Sequence, residues 1–558
     1  MPIYNQPHQQ FIAQIRNSGV LIKPPRRLYY AGEKITAVVN SLDGRSPQET
    51  CFTIAHSPGS GFAGQVYCAQ PEGGTDLVAI KVLRPASIWK ERFRDALFRL
   101  SFQAAFAPRL TEEAVRAGLI WQTLLRIGAG IEWGTPTAVV QPLGYYWDEE
   151  LRSFAEIHQW IDGRSSRYSA DEQLVGRLFD HAATMPNGEM SRQRHFMSRM
   201  TRLCYQMGAV GLARQYEWYT FVSQANVLHC QTLEPGQSEF VAVDFRPGLA
   251  VPFFLPLSPH HLHIIIQGLR RGILRHFDEV DMARLDRYTA DHAGQFEPVQ
   301  TLIEQLQEDE ARYRDGLPDL WQHPTHLRER RVKTAVIATW HQSGLIADDQ
   351  LPQLTERTTL FYLYFLLDHM PVLGHFLLRL WGNHRYRQHW QRMIRERDYR
   401  KEVTAVIRDR DLVEWLQTGR VTTAVIPKLA RSMPRYWRDK LILSWLPAPI
   451  QRLLTSRAAL LEWLYSRLLF PLRLLFQPEQ RQKWLHHIIS VQVKNGVVSR
   501  SDETRFREQI YEPLMHGYLR DLGLTAGLDI FSKTLSLLLA YYGVVQGNFL
   551  PFLVVSFG

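Results

Sequence analysis

Residues 59–66 read Gly-Ser-Gly-Phe-Ala-Gly-Gln-Val, a GxGxxGxV string closed by Val66. Without Cβ atoms, Gly59, Gly61 and Gly64 let backbone N–H groups approach an anion closely, and phosphate is the anion such loops cradle. Seventeen residues after Gly64 comes Lys81, inside the run Thr-Asp-Leu-Val-Ala-Ile-Lys-Val-Leu. A glycine hairpin followed by a strand that carries a lysine sets a fixed positive charge beside the phosphates. A dinucleotide fingerprint would instead run from its last glycine into a helix and end a second strand on an acid. No helical pattern follows Gly64, so that chemistry is set aside.

The residues that follow come in a recognisable order. The pattern Leu-Thr-Glu-Glu-Ala-Val-Arg predicts a helix that offers Glu112 or Glu113 to orient Lys81, with Glu91 as the runner-up. Two strands joined by a turn are predicted over 136–159, ending at Gln159-Trp160-Ile161-Asp162-Gly163. Farther on, Asn226-Val227-Leu228 precedes Val243-Asp244-Phe245-Arg246. Taken together, these runs resemble the protein-kinase-like superfamily over about residues 50–320, including its atypical small-molecule and UbiB/ABC1-like branches. The resemblance implies a two-lobed α+β domain that binds ATP through Gly59, Gly61, Gly64, Val66, Lys81, Glu113 and a hinge at Gln159 and Ile161. It further implies Mg2+ held by Asn226 and Asp244, where hard oxygen ligands offset the charge of the phosphates.

The chain also departs from that family. Five residues before Asn226, where an HRD loop places its aspartate, stands Phe221; the nearest acid is Glu217, nine residues upstream. Asp244-Phe245-Arg246 carries arginine where the DFG element carries glycine. No APE element follows, and the Ala-rich loop and KxGQ element of the UbiB/ABC1 branch are absent. Phosphoryl transfer rests mainly on positioning and charge neutralisation, so Lys81 and Asp244, with Glu217 as base, remain candidate catalytic residues. Two readings therefore stay open: an atypical phosphotransferase acting on a small molecule, lipid or glycan, and a pseudokinase scaffold or nucleotide-dependent switch.

Around this constellation the chain divides into three parts. Residues 1–50 read as an irregular lead-in, 51–325 as the kinase-like domain, and 326–558 as an all-α region rich in Leu, Trp and Arg. In the last part an apolar helix, a glycine and a second apolar helix recur three times, in units of about 76 residues. Gly344, Gly419 and Gly496 mark them, separated by 75 and 77 residues. Trp340 and Trp415 each stand four residues before their glycine. A glycine just past a helix end is the residue for which a left-handed backbone costs least.

The 558 residues exceed one ordinary core, and 45% hydrophobic against 22% charged residues is globular composition. A net charge of +10 favours anionic partners: nucleotide or a lipid surface, with no nucleic-acid reader motif accompanying the arginine clusters. Four cysteines without CxxC spacing fit a reducing compartment, and His260, His261 and His263 lack the partners of a metal site. The N-terminus has no secretory pattern, so the expected location is the cytoplasm or the cytoplasmic face of a membrane. Residues 534–558 carry no charge, and apolar segments at 358–381 and 441–476 mix Arg and Trp as interfacial helices do. That helical half is the expected seat of a membrane or protein partner.

Overall fold

The computed structural model describes residues 28–507, apart from internal stretches of which the longest are 166–188, 246–279, 316–326 and 466–476. The chain opens on a sheet and ends in helices. Six strands form the first sheet: β1 (Lys34–Val39), β2 (Gln48–Ser60), β3 (Gln65–Pro71), β4 (Val78–Val82), β5 (Pro142–Asp148) and β6 (Ser153–Gln159). Their order is β1-β2-β3-β4-β6-β5, with every pairing antiparallel. Alternation in β4 sends Val78, Ile80 and Val82 to one apolar face, with Tyr67, Ala155 and Ile157, and leaves Ala79 and Lys81 on the other.

This sheet starts earlier than the boundary at residue 51 read from sequence. β1 and the first residues of β2 belong to it, and Asn40 exchanges both backbone bonds with Tyr145 (2.8 and 3.0 Å). The two edge strands thereby meet, so neither presents a full open ladder. Tyr29 is buried as well, donating its hydroxyl to Asp148 Oδ2 at 2.6 Å. A short strand with a single buried stripe, Ile35 and Ala37, is too weak a pattern to read from the chain alone.

Helix α1 (Glu112–Trp133) lies across the sheet, packing Val115 and Leu119 against Tyr145 and Phe154. Its other buried side joins the main core with α2 (Glu189–Gln206), α3 (Met282–Asp291) and α4 (Gln300–Asp315). A second small sheet, β7 (Gly163–Ser165), β8 (Val227–Cys230) and β9 (Phe240–Ala242), is antiparallel throughout. It meets the first unit where Val140 N–H donates to Ala242 O at 3.1 Å.

Beyond residue 326 the described elements are helical: α5 (Arg330–Gln342), α6 (Leu351–Glu356), α7 (Thr358–His369), α8 (Leu373–Gly382) and α9 (His384–Arg395) come first. Then follow α10 (Arg397–Gln417), α11 (Ile426–Arg431), α12 (Met433–Leu443), α13 (Arg457–Leu464) and α14 (Pro478–Lys494). Among the described residues no helix is long and apolar enough to cross a membrane; 534–558 lies outside them.

Gly344 ends α5 in the left-handed conformation, φ 66°, with its N–H on His341 O and that of Leu345 on Trp340 O. Paired bonds of this kind close a helix end and require φ > 0 at the glycine. Arg152, in the β5–β6 turn, donates to Ser343 O at 2.7 Å, and its guanidinium occupies the space a Cβ on residue 344 would need. Gly344→Ala is therefore expected to cost about 1–2 kcal/mol for the backbone alone, and to push Arg152 off the helix end. Denaturant unfolding would measure the first effect. Faster proteolysis between the sheet unit and α5 would register the second.

Candidate functional site

Lys81 and Asp244 meet in the cleft between the two sheets, Nζ to Oδ1 at 2.6 Å, with both side chains largely shielded from water. Lys81 is placed by β4, whose alternation turns it away from the apolar face. Asp244 follows β9 and is fixed from both sides. Val243 N–H donates to Asn226 O at 2.8 Å and Val243 O accepts from the Tyr216 hydroxyl at 3.1 Å. Phe245 is buried, with its ring 5.5 Å from that of Tyr216. Burial pushes the Tyr216 phenol well above its ordinary range, so it stays a neutral donor. Asp244 itself has φ 72°, a left-handed conformation that a non-glycine residue holds only when its neighbours are tied down.

Asn226 sits opposite, at the start of β8, where Val227 pairs with Ala242. Its Nδ2 donates to Gln215 Oε1 at 2.8 Å and to Gln215 O at 3.2 Å. That fixes the amide and leaves Oδ1 without a hydrogen bond among the described residues. The hairpin thus brings a carboxylate and an amide side chain, both oxygen donors, to one end. Were a Mg2+ ion held there, two protein oxygens would leave the rest of its shell to phosphate oxygens and water.

The described part of the glycine string reaches Lys81 through strand pairing. Gly59 in β2 pairs with Val66 in β3, and Val66 pairs with Lys81. Gly64 is buried, and a Cβ there would run into the Val82 carbonyl oxygen. Gly61 lies outside the described residues.

At the far end of β6 the chain passes through Gln159, Trp160 and Ile161. Gln159 N–H is taken by Gln141 O at 2.9 Å and Trp160 N–H by Leu77 O at 3.3 Å. Ile161 is buried beside Val140, Cys230 and Val241. Its N–H has no acceptor among the described residues. His56 of β2 sets its ring edge-on to Trp160, centroids 5.3 Å apart.

The structure brings together Lys81, Asp244, Asn226 and Val66, with Gly59 in β2 and Gly64 just before β3. It does not bring the α1 glutamates to Lys81. Glu112 accepts from Tyr145 Oη at 2.8 Å and from Arg116 at 3.2 Å, Glu91 pairs with Arg84 at 2.9 Å, and among the described residues the Lys81 ammonium pairs with Asp244, not with Glu113 or Glu156. Glu217, Phe221, Arg246 and the three histidines at 260–263 lie outside the described residues. One residue that sequence reasoning passed over is Glu156, buried in β6 and the register partner of Lys81. Its signal was available as an acid inside the apolar run Phe-Ala-Glu-Ile.

No model of a known protein family matches the chain, and no curated protein matches it in sequence. Solved structures similar to it are protein kinase domains. The kinase domain of M. tuberculosis PknI is 15% identical, covering 35% of this chain and 57% of that one, with a TM-score of 0.19. For the BubR1 kinase domain the values are 14%, 43%, 58% and 0.17. For a rhoptry kinase from Toxoplasma gondii they are 11%, 73%, 98% and 0.24. The chain thus spans little more than half the length of the first two. At such scores these likenesses add nothing to the geometry described above.

Proposed function

We propose that the sheet unit and its helices bind a magnesium nucleotide in the manner of a protein-kinase-like domain, with Lys81 toward the phosphates and Asp244 and Asn226 toward the metal. The observation that carries this reading is the 2.6 Å pair between Lys81 Nζ and Asp244 Oδ1, beside an asparagine held across the same hairpin. Magnesium, when bound, neutralises phosphate charge. The protein's own part is to orient: glycine-strand amides on the phosphates, Ile161 N–H and the Gln159 carbonyl on the base, and Lys81 as a fixed cation. The reaction such a site supports is phosphoryl transfer to a small molecule, lipid or glycan.

The test is a magnesium-dependent ATP titration on the full chain. Asp244→Ala is expected to weaken binding by about tenfold or more, and wild-type affinity in that variant would end the assignment. A pseudokinase is the second reading, favoured by Phe221 at the position of the missing aspartate. Binding without turnover would select it; turnover abolished by Lys81→Ala would exclude it.

For the helical half, the proposal is a set of repeated units. Helix ends at Gln342, Gln417 and Lys494 support it, as do α6 and α11, which begin 75 residues apart at Leu351 and Ile426. Corresponding bonds recur too: Phe361 N–H to Arg357 O and Tyr436 N–H to Ser432 O. Trp340 packs on Phe361 and Trp415 on Tyr436, centroids 5.6 and 6.0 Å apart. Leu366 and Leu441, also 75 residues apart, are both exposed at 55% and 65%. This repeated exposed apolar position suits a partner protein or the cytoplasmic face of a membrane.

A further inference from the structure

We infer that Glu156, on β6, is the acid that positions Lys81, taking the part that the sequence assigned to a glutamate of α1. The inference rests on the nucleotide-binding reading of the cleft and adds a residue to it.

Lys81 and Glu156 are register partners across β4 and β6. Partners in an antiparallel pair point to the same face with Cβ atoms about 5 Å apart, and opposite charges so placed attract. That face is the one turned from the apolar layer, because Ile80, Val82, Ala155 and Ile157 all belong to that layer. Glu156 is 3% exposed, and a carboxylate so deeply buried needs a cation and donors around it.

The donors form a line from α1. Gln122 Nε2 donates to Val140 O at 2.6 Å and contacts His158 Nδ1 at 3.2 Å. With Nδ1 accepting, the ring proton sits on Nε2, which faces Glu156 Oε2 at 3.5 Å. Helix α1 thus acts on the lysine through Gln122, His158 and Glu156 instead of through its own carboxylates. Its first-turn Glu112 is occupied by Tyr145 and Arg116.

Such an arrangement has a consequence for nucleotide entry. Lys81 stands between two acids, Asp244 across the cleft and Glu156 beside it on the sheet. When Asp244 turns to a metal ion, Glu156 keeps the ammonium in place for the phosphates. Glu156 is a positioning residue in this scheme and touches no substrate.

The test is a double-mutant cycle on the full chain with Glu156→Gln, Lys81→Met and the pair, read by denaturant unfolding without nucleotide. The unfolding constant of the double variant is expected to lie several-fold closer to wild type than the product of the single effects. Strict multiplicativity would overturn the inference. If Glu156→Gln does not fold, Glu156→Asp, which keeps the charge one methylene shorter, replaces it under the same criterion. In parallel, magnesium-ATP affinity is expected to fall about tenfold in Glu156→Gln, and a larger loss in Glu113→Gln would return the role to α1. A wild-type chain that binds no ATP would defeat the reading of the cleft, while the cycle would still decide whether Glu156 holds Lys81.

Discussion

Arg116→Ala is expected to destabilise the sheet unit by about 3–5 kcal/mol, the cost of leaving one member of a buried ion pair alone. Arg116 reaches from α1 to α4 and grips Asp309 with two parallel bonds, Nε to Oδ2 at 2.7 Å and Nη2 to Oδ1 at 2.6 Å. The Asp309 side chain is fully buried. Its two bonds raise the guanidinium's pKa above the ordinary arginine value against the opposing effect of burial, so the arginine is charged at every pH the fold survives. Removing it would leave a carboxylate in the core with Gln305 Nε2, at 3.1 Å, as a remaining donor. The measurement is the urea midpoint of the full chain. The double variant Arg116→Met, Asp309→Leu is expected to recover most of the loss, since the penalty lies in the unpaired charge.

The same contact bears on function. Beside Arg116, Trp121 donates to Glu310 Oε1 at 2.9 Å, so α1 is fastened to α4 through two adjacent buried acids. A helix fixed in this way is poorly suited to swing an acid toward and away from Lys81. That agrees with the supply of that acid from a strand.

Gly64→Ala is the second large effect, on the order of 3 kcal/mol, because the new methyl would collide with the Val82 carbonyl and not with a side chain able to turn aside. Val82 follows Lys81, so relief of the clash must move the strand that positions the lysine. Magnesium-ATP affinity should therefore fall together with the unfolding midpoint. The same substitution at Gly294, which like Gly64 has no positive φ, would meet nothing within 4 Å and serves as the control without a collision. Equal unfolding midpoints in the two variants would contradict the collision.

The residues proposed for the site could be picked out from the chain because their patterns are local. Glycines mark a close backbone approach wherever they fall, and Val-Ala-Ile-Lys states its own alternation, with Lys81 opposite Ile80 and Val82. Asn226 and Asp244 were found by order along the chain, and the β8–β9 hairpin that joins them is itself a short-range structure. Gly344 ended its helix as its position implied, since the cost of a left-handed residue is paid within one turn.

What sequence could not determine is which distant groups share a charge. Four glutamates lie in reach of an argument about Lys81, at 91, 112, 113 and 156, and spacing favoured α1. Only the packed molecule shows Arg84, Tyr145 and Arg116 occupying the first two of these, and the β4–β6 register setting Glu156 opposite the lysine. The sheet's first strand was hidden for a related reason. Its single buried stripe acquires meaning once Asn40 meets Tyr145, a pairing across more than a hundred residues. Local chemistry is written in residue type and spacing; long-range partnership depends on how strands register and helices pack, and that is decided by the fold as a whole.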